Sequence, residues 1–229
     1  MQTHSNIVTT TDVETIKKII ARHGHAAEHN YHHFLNVGLM VGECNFCVVD
    51  NNYGVISYIE NKKTVWCYSD PLAPKEKMQE VFFQFVEWAF KNGFSKVRAE
   101  INESLWEQVV KTIKEKYKAG KNDAVGAGSL RAVKPSYVYQ WPAFDLKKWD
   151  PTLPGKEWKT LRNMRNVFMR DHKVEFLEKN NASQHEMLKL LANWKKLRQG
   201  KDRAHTEHYE AAIKSNFEGY DSIRIICAD

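Results

Sequence analysis

The sequence predicts an α/β chain of the α+β type, in which a mixed, largely antiparallel sheet is flanked by helices. Three β-branched and aromatic runs follow one another with short turn signals between them, which is typical of an antiparallel meander. Segments whose apolar residues recur at helical spacing stand before and after these runs. The chain has 229 residues, of which 42% are hydrophobic, so it is long and apolar enough to build a substantial core.

The first predicted elements are a helix and the three strands of the meander. "TDVE" at 11–14 matches a capping box and predicts a helix that ends before Gly24, with Ile16, Ile19 and Ile20 at helical spacing. "NFCVVD", "GVISYIE" and "TVWCYS" predict the strands, and "NNYG" and "NKK" predict the turns between them.

A long helix and a strand–helix pair are predicted after the meander. "DPLAP" breaks the sheet, and "KEKMQEVFFQFVEWAFKNG" predicts an amphipathic helix that ends at Gly93. Its apolar residues recur every three or four positions, and they are Met78, Val81, Phe82, Phe85, Val86 and Ala89. "FSKVRAEI" predicts a strand and "ESLWEQVVKTIKEKY" a helix. A glycine-containing loop at 120–128 then leads to "SYVYQW", which predicts another strand.

"DPTLPGK" predicts a domain boundary, because two prolines and a glycine lie between regular elements. We predict a first domain over 1–149, a linker over 150–155 and the start of a second domain over 156–229. In the second part, "KVEFLE" predicts a strand, and "SQHE" predicts the start of a helix that runs from Ser183 to about Leu197. The final run, "SIRIIC", has no obvious partner in this part, and an unpaired strand is unfavourable. We therefore expect either that the polypeptide continues beyond Asp229 or that this strand joins the first sheet.

The order helix, meander, helix, strand, helix, strand resembles the GNAT acyltransferase fold. "VWCYSDPLAP…FVEWAFKNGFSKVRAEI" and "FDLKKWDPTLPGKEWKTLRNMRNVFMRDHKVEF" resemble the catalytic region of the phosphatidylglycerol lysyltransferase family and its soluble relatives, which carry two GNAT-like domains in tandem. In that family a linker leads into a helix of the form "gK…LR…N", which Gly155, Lys156, Leu161, Arg162 and Asn166 match. The resemblance spans roughly residues 30–229.

The resemblance implies transfer of an acyl or aminoacyl group to a small amine or hydroxyl acceptor. The acceptor would attack the carbonyl directly, and the donor would be either an acyl-CoA or an aminoacyl-tRNA. The lysyltransferase delivers its aminoacyl group to a lipid, but no uncharged apolar run here approaches the roughly 18 residues that would span a membrane. A different interpretation is a non-catalytic GNAT-like module that binds RNA or a protein partner.

A basic stripe on the helix that follows the linker is the first candidate site. At about 100° per residue, Lys159 and Arg162 lie opposite an apolar seam from Trp158 to Phe168, which we expect to pack on a core, while Arg165 borders that seam. Guanidinium groups bind phosphate through paired hydrogen bonds, so these three cations are candidate donor-binding residues. The alternative is a solvated face with one Arg paired to a carboxylate.

"KDRAHTEHYE" at 201–210 is the second candidate site. Direct acyl transfer needs a base for the attacking amine, an acid for the leaving group and hydrogen-bond donors for the oxyanion. Glu207 and His205 are the candidate bases, Tyr209 is the candidate acid, and Arg203 is a further candidate donor-binding residue. The alternative is a polar helix start or an interdomain loop.

No metal is expected. The histidines of "RHGHAAEHNYHHF" have metal-like spacing, but the sequence places no acidic or cysteine partner beside them. Cys44 and Cys47 in "CNFC" lie three apart on a predicted strand and so face opposite sides. The first 15 residues carry no basic-then-apolar signal, and four cysteines without a framework spacing suit a reducing compartment, so we predict a cytoplasmic location. The net charge of +6 favours an anionic, phosphate-bearing donor, and the oligomeric state stays open.

Overall fold

A five-stranded sheet organises the first part of the chain. The computed structural model describes residues 6–41, 43–118, 135, 137–138, 140, 147, 149–199, 206–220 and 224–228. Within them, the mostly antiparallel sheet and its flanking helices confirm the predicted mixed α/β class and are consistent with a GNAT-like α+β fold. The predicted loop at 120–128 lies outside the described residues, as does half of the predicted strand "SYVYQW".

The strands follow one another across the sheet in chain order. They are β1 (Ile7–Thr10), β2 (Glu43–Val49), β3 (Tyr53–Asn61), β4 (Thr64–Cys67) and β5 (Lys96–Ala99). The first four pair antiparallel, which confirms the predicted meander and adds the unpredicted β1. β5 pairs parallel with β4, from Thr64↔Lys96 to Cys67↔Ala99. Parallel neighbours need a crossover connection, and α3 (Lys75–Lys91) supplies it.

Helices α3 and α4 (Glu103–Lys118) cover one face of the sheet. All six predicted apolar positions of α3 are buried, and they pack with Val55 and Val65 from the sheet. Gly93 follows α3 with φ of +87°, a left-handed conformation that glycine adopts without strain. The predicted period of this helix therefore identified its buried side correctly.

Helices α1 (Val13–His23) and α2 (Tyr31–Val41) cover the other face. The predicted α1 is confirmed, but its cap is Asp12, whose Oδ2 accepts from the backbone N–H of Thr15 at 2.8 Å. The sequence did not predict α2, because its first turn contains His32 and His33 and continues a histidine-rich segment, which hides the apolar period. It buries Phe34 against the sheet, and the Phe34 carbonyl accepts a hydrogen bond from Tyr58 Oη at 2.9 Å.

The second part of the chain forms a smaller layer. Its elements are α5 (Lys159–Asp171), β6 (Val174–Glu178), a 3-10 turn (Lys179–Asn181), α6 (Gln184–Arg198), α7 (Glu207–Lys214) and β7 (Arg224–Ala228). Ser183 caps α6 as predicted, since its Oγ accepts from Glu186 N at 3.3 Å. Helix α7 begins at Glu207, which agrees with the alternative of a polar helix start in 201–210, and it lies against α2 of the first part. The predicted division at 149 and 155 stays a prediction.

Strand β7 pairs antiparallel with β6, from Val174↔Ala228 to Glu178↔Arg224. The expectation that β7 lacks a partner in this part, or joins the first sheet, is therefore wrong. Turn signals reveal only strands that a short loop joins, and two helices separate β6 from β7. The sequence pattern consequently hid this pairing.

The apolar seam of α5 faces solvent. None of the described α5 side chains is buried; Met164 is 65% exposed and Phe168 is 43% exposed. The expectation that this seam packs on a core is wrong, because no described helix or strand makes extensive contact with α5. Across the described residues, no helix combines the length and the apolar character needed to cross a lipid bilayer.

Candidate active site

The carboxyl ends of the parallel strands β4 and β5 lie side by side. Glu100 N donates to Cys67 O at 2.9 Å, so the ladder continues one step beyond both strands. Trp66 pairs with Arg98 across this ladder, and side chains alternate between the two faces. Tyr68 and Glu100, two residues further along, therefore lie on the face that Trp66 and Arg98 share.

Tyr68 is held in a group of aromatic rings. Its centroid is 5.3 Å from that of Trp66 and 5.2 Å from that of Tyr58, with both pairs nearly perpendicular. His33 of α2 lies 6.4 Å away by the same measure. Edge-to-face contacts of this kind fix the ring orientation, so the Tyr68 hydroxyl has a defined position at the strand end.

Two carboxylates act on this tyrosine. Burial raises the pKa of Tyr68 to about 12, with smaller contributions from Glu100, Glu28 and Tyr209. The pKa of Glu100 is also raised, first by desolvation and then by the charge of Glu28, whereas Arg98 lowers it. The phenol consequently keeps its proton at neutral pH, and Glu100, although exposed, is more basic than an ordinary glutamate.

Tyr209 lies on α7, a helix of the second part of the chain that packs against α2. Ala212 and Ile213 are buried on the inner side of α7, while Tyr209 is 52% exposed and acts electrostatically on Tyr68. Burial lowers the pKa of His33, which Glu28 partly offsets. We call the five residues that these ring contacts and charge interactions link the edge cluster: Glu28, His33, Tyr68, Glu100 and Tyr209.

Asp70 links the end of β4 to the start of α4 through two hydrogen bonds to Asn102. Its Oδ1 accepts from Asn102 N at 2.8 Å, and its Oδ2 accepts from the Asn102 side-chain amide. Asn102 also caps α4, since its Oδ1 accepts from Leu105 N at 2.8 Å. The buried Asp70 carboxylate therefore sets the end of β4 against the start of α4.

His29 is a buried structural residue with a defined tautomer. Its Nδ1 accepts from the backbone N–H groups of His25 at 3.1 Å and Ala26 at 3.2 Å, so the proton is on Nε2. That nitrogen donates to Asp70 O at 3.0 Å. Desolvation, and then the charge of His25, lower the pKa of His29. The neutral ring therefore links the α1–α2 loop to the end of β4 through these hydrogen bonds.

The spacing of Cys44 and Cys47 does not bring the two thiols together. As predicted, Cys44 and Cys47 point to opposite faces of β2: Cys44 Sγ lies 3.6 Å from Phe34 O, and Cys47 Sγ lies 3.6 Å from Ser57 Oγ. In the part of the chain that the structure describes, no group of three or more His, Cys, Asp or Glu side chains is placed to hold a metal ion.

The predicted catalytic residues are placed unequally. Tyr209 joins the edge cluster, whereas Glu207 lies at the start of α7, where its Oε2 accepts from Thr206 N at 2.9 Å. Glu207 Oε1 is 3.7 Å from Lys195 Nζ of α6. His205 and Arg203 lie outside the described residues. Their predicted roles stay predictions.

The predicted donor-binding cations lie along α5 beside the linker. Arg162 Nη1 donates to Gly155 O at 3.1 Å and to Leu153 O, and Arg165 Nη1 donates to Pro151 O at 2.8 Å. The partner of Arg165 is therefore a backbone carbonyl, whereas the alternative interpretation of the sequence expected a carboxylate. Lys159 is exposed at the first residue of α5. Donor binding by these three residues stays a prediction.

Sequence reasoning missed four members of the edge cluster. One usable signal was the alternation of Lys96, Arg98 and Glu100 with apolar Val97 and Ala99, which gives β5 one charged face. That alternation indicates a functional site only when β5 is known to lie beside β4, whose Trp66 and Tyr68 are on the same face. Parallel pairing across a helix cannot be deduced from local pattern alone.

The model of one protein family, described as phosphatidylglycerol lysyltransferase, C-terminal, matches residues 24–221. This range includes the whole edge cluster, the linker and α5. No curated protein matches the chain. Because the family match covers most of the sequence, the chain belongs to the phosphatidylglycerol lysyltransferase C-terminal family, as its motifs predicted.

Proposed function

We propose that the chain is an aminoacyltransferase that moves an aminoacyl group from aminoacyl-tRNA to an amine or hydroxyl acceptor. The observation that carries this proposal is the family match over residues 24–221. The strand ends support it, because they bring Glu100, whose pKa is raised, and the Tyr68 phenol, which keeps its proton at neutral pH, to one face of the sheet. An acyl-CoA donor is the alternative that the experiment below tests.

Glu100 is the proposed general base. A base of raised pKa binds a proton more strongly than an ordinary carboxylate, and proton transfer is most effective when the pKa lies near the working pH. Glu100 is exposed at the end of β5, so an acceptor can reach its carboxylate directly. Glu207 and His205 remain the alternative bases from the sequence, and Glu207 Oε1 lies 3.7 Å from Lys195 Nζ.

A tyrosine is the proposed general acid. As the acceptor nitrogen or oxygen bonds to the carbonyl carbon, the bond to the ribose oxygen breaks and that oxygen needs a proton. Tyr68 keeps its proton at neutral pH, since its pKa is about 12, and Tyr209, which acts electrostatically on Tyr68, is the alternative acid. The tyrosinate that remains is reprotonated by solvent, and the proton on Glu100 leaves to solvent, which closes the cycle.

The cations of α5 are proposed to contact phosphates of the donor. A guanidinium has several N–H donors, so Arg162 and Arg165 can hold the linker through Nη1 and still present further N–H groups. Lys159 and, from outside the described residues, Arg203 would add positive charge. The +6 net charge of the chain supports the same assignment.

The test is a transfer assay with tRNA charged with a radiolabelled amino acid and a mixture of amine and hydroxyl acceptors. We expect labelled product with the wild-type protein and a loss of about 100-fold or more in Glu100→Gln, because a general base contributes about that much. Glu107→Gln, which removes an exposed carboxylate on α4, is the matched control. Transfer from acetyl-CoA alone would contradict the donor assignment.

Binding of tRNA without any transfer would instead support the non-catalytic interpretation. In that case the affinity should fall steeply with salt concentration, because each neutralised phosphate releases counterions.

A further inference from the structure

An arginine is held against a tryptophan on the exposed face of strands β4 and β5. Trp66 and Arg98 are partners in the parallel ladder between these strands. The guanidinium carbon of Arg98 lies over the Trp66 ring, 4.8 Å from the ring centroid. Arg98 Nη1 also donates to Glu60 Oε1 at 2.9 Å. These two contacts fix both the position and the orientation of the guanidinium group.

The Trp66–Arg98 pair is accessible to a ligand. Strand β5 is at the edge of the sheet, and the helices on this face, α1 and α2, pack on β2 and β3. The Arg98 side chain is 43% exposed in spite of its two contacts, and Trp66 is half-buried. The guanidinium group therefore has one side against the Trp66 ring and another side that faces solvent.

A planar cation that is fixed on an aromatic ring is a stacking surface for a nucleobase. Proteins bind unpaired RNA bases by stacking them on aromatic rings or on the guanidinium plane of an arginine. A base on the exposed side of Arg98 would extend the stack that begins at Trp66, with the cation between two ring systems. The alternative is an ordinary exposed ion pair between Arg98 and Glu60, which would contribute little.

The distance from Arg98 to Glu100 indicates which base fits. Two residues along a strand span about 7 Å, and side chains two apart lie on the same face. In aminoacyl-tRNA the ester and the 3′-terminal base are attached to the same ribose, so they are separated by a comparable distance. In acyl-CoA the pantetheine chain lies between the thioester and the adenine. A carbonyl at Glu100 and a base at Arg98 therefore fit the tRNA donor better than CoA.

We propose that the Trp66–Arg98 pair stacks the 3′-terminal base of the aminoacyl-tRNA donor and so positions its ester beside Glu100. The proposal deepens the proposed function and rests on it. It assigns base binding to Arg98 and Trp66, whereas the cations of α5 are assigned to phosphates.

The test compares two tRNAs that differ only in the base of the 3′-terminal nucleotide. One tRNA is intact, and the other carries an abasic ribose at that position, so both have the same phosphates. At a fixed salt concentration, the wild-type protein should bind the intact tRNA about tenfold more tightly, which corresponds to about 1.4 kcal/mol for one stacked base.

Variants of the pair should remove this preference. Arg98→Lys keeps the charge but loses the guanidinium plane, so the two affinities should come within about twofold of each other. Trp66→Leu removes the ring beneath the guanidinium group and should have the same effect. The matched control is Lys96→Ala, which removes an exposed cation two residues earlier on β5. Whatever its effect on overall affinity, the tenfold ratio should remain. Thermal melting verifies that each variant is folded.

Equal affinity of the wild-type protein for the two tRNAs, or no binding of either, would overturn the proposal. A tenfold ratio that persists in folded Arg98→Lys would also overturn it. The transfer assay separates this failure from failure of the proposed function. Labelled product together with equal affinities would refute the stacking site and leave aminoacyl transfer intact. A preference that Arg98→Lys removes, without any transfer, would refute the aminoacyltransferase and leave the stacking site intact.

Discussion

Replacing Asp70 by alanine should lower the free energy of unfolding, because Asp70 links the end of β4 to the start of α4 next to the edge cluster. The carboxylate is 8% exposed and accepts from both the backbone and the side chain of Asn102. It also lies 3.7 Å from His25 Nε2. Its removal leaves two donors of Asn102 without their acceptor and separates the end of β4 from the cap of α4.

The size of the effect follows from these two hydrogen bonds. A hydrogen bond to a charged group contributes about 1.5–3 kcal/mol. Asn102 is exposed enough for water to replace part of each bond, so the expected loss in the free energy of unfolding is about 2–3 kcal/mol for both together. For a chain of this size, that corresponds to a fall in Tm of about 5–10 °C.

Thermal melting followed by circular dichroism measures this fall. The control is Asp171→Ala, which removes an exposed carboxylate that pairs with the adjacent Arg170 at 2.7 Å. Exposed pairs contribute about 0–1 kcal/mol, so the control should melt close to wild type. If Asp70→Ala had the same Tm as Asp171→Ala, the assignment of Asp70 as the link between the end of β4 and the start of α4 would be refuted.

Three further predictions concern the core and the proposed base. Phe85→Ala empties a fully buried site on α3 and should lower the free energy of unfolding by about 3–5 kcal/mol in urea denaturation; a loss below 1 kcal/mol would show that the site is not packed as described. Tyr58→Phe removes the hydroxyl that donates to Phe34 O and should cost about 1 kcal/mol by the same method, whereas no loss would mean that water replaces the bond. The transfer rate should rise with pH as Glu100 loses its proton, at a pH above the ordinary glutamate range because its pKa is raised; a pH profile that Glu100→Gln leaves unchanged would contradict this role.

The parts of the fold that could be predicted are those that local periodicity determines. The α3 seam from Met78 to Ala89 repeats every three or four residues, and the meander strands are separated by turn residues. The Ser183 cap of α6 has a fixed local spacing and was also predicted. Each of these signals acts over fewer than about 20 residues, which is the range that sequence patterns describe well.

The parts that could not be predicted depend on contacts between distant segments. Helix α2 is stabilised by packing Phe34 on the sheet, although its histidines weaken its apolar pattern. Tyr209 was predicted from its chemistry, but its neighbour Tyr68 became evident only from the packing of α7 on α2. Glu100 was missed because its raised pKa comes from desolvation and from Glu28, which belongs to a loop far away in sequence.

The most direct test of the central claim is the time course of product formation when radiolabelled aminoacyl-tRNA and the mixture of amine and hydroxyl acceptors are incubated with the wild-type protein, Glu100→Gln or Glu107→Gln. Our account predicts labelled product with wild type and Glu107→Gln, and a rate about 100-fold or more lower with Glu100→Gln. Equal rates for the three folded proteins, or rates no higher than without protein, would contradict aminoacyl transfer at the edge cluster.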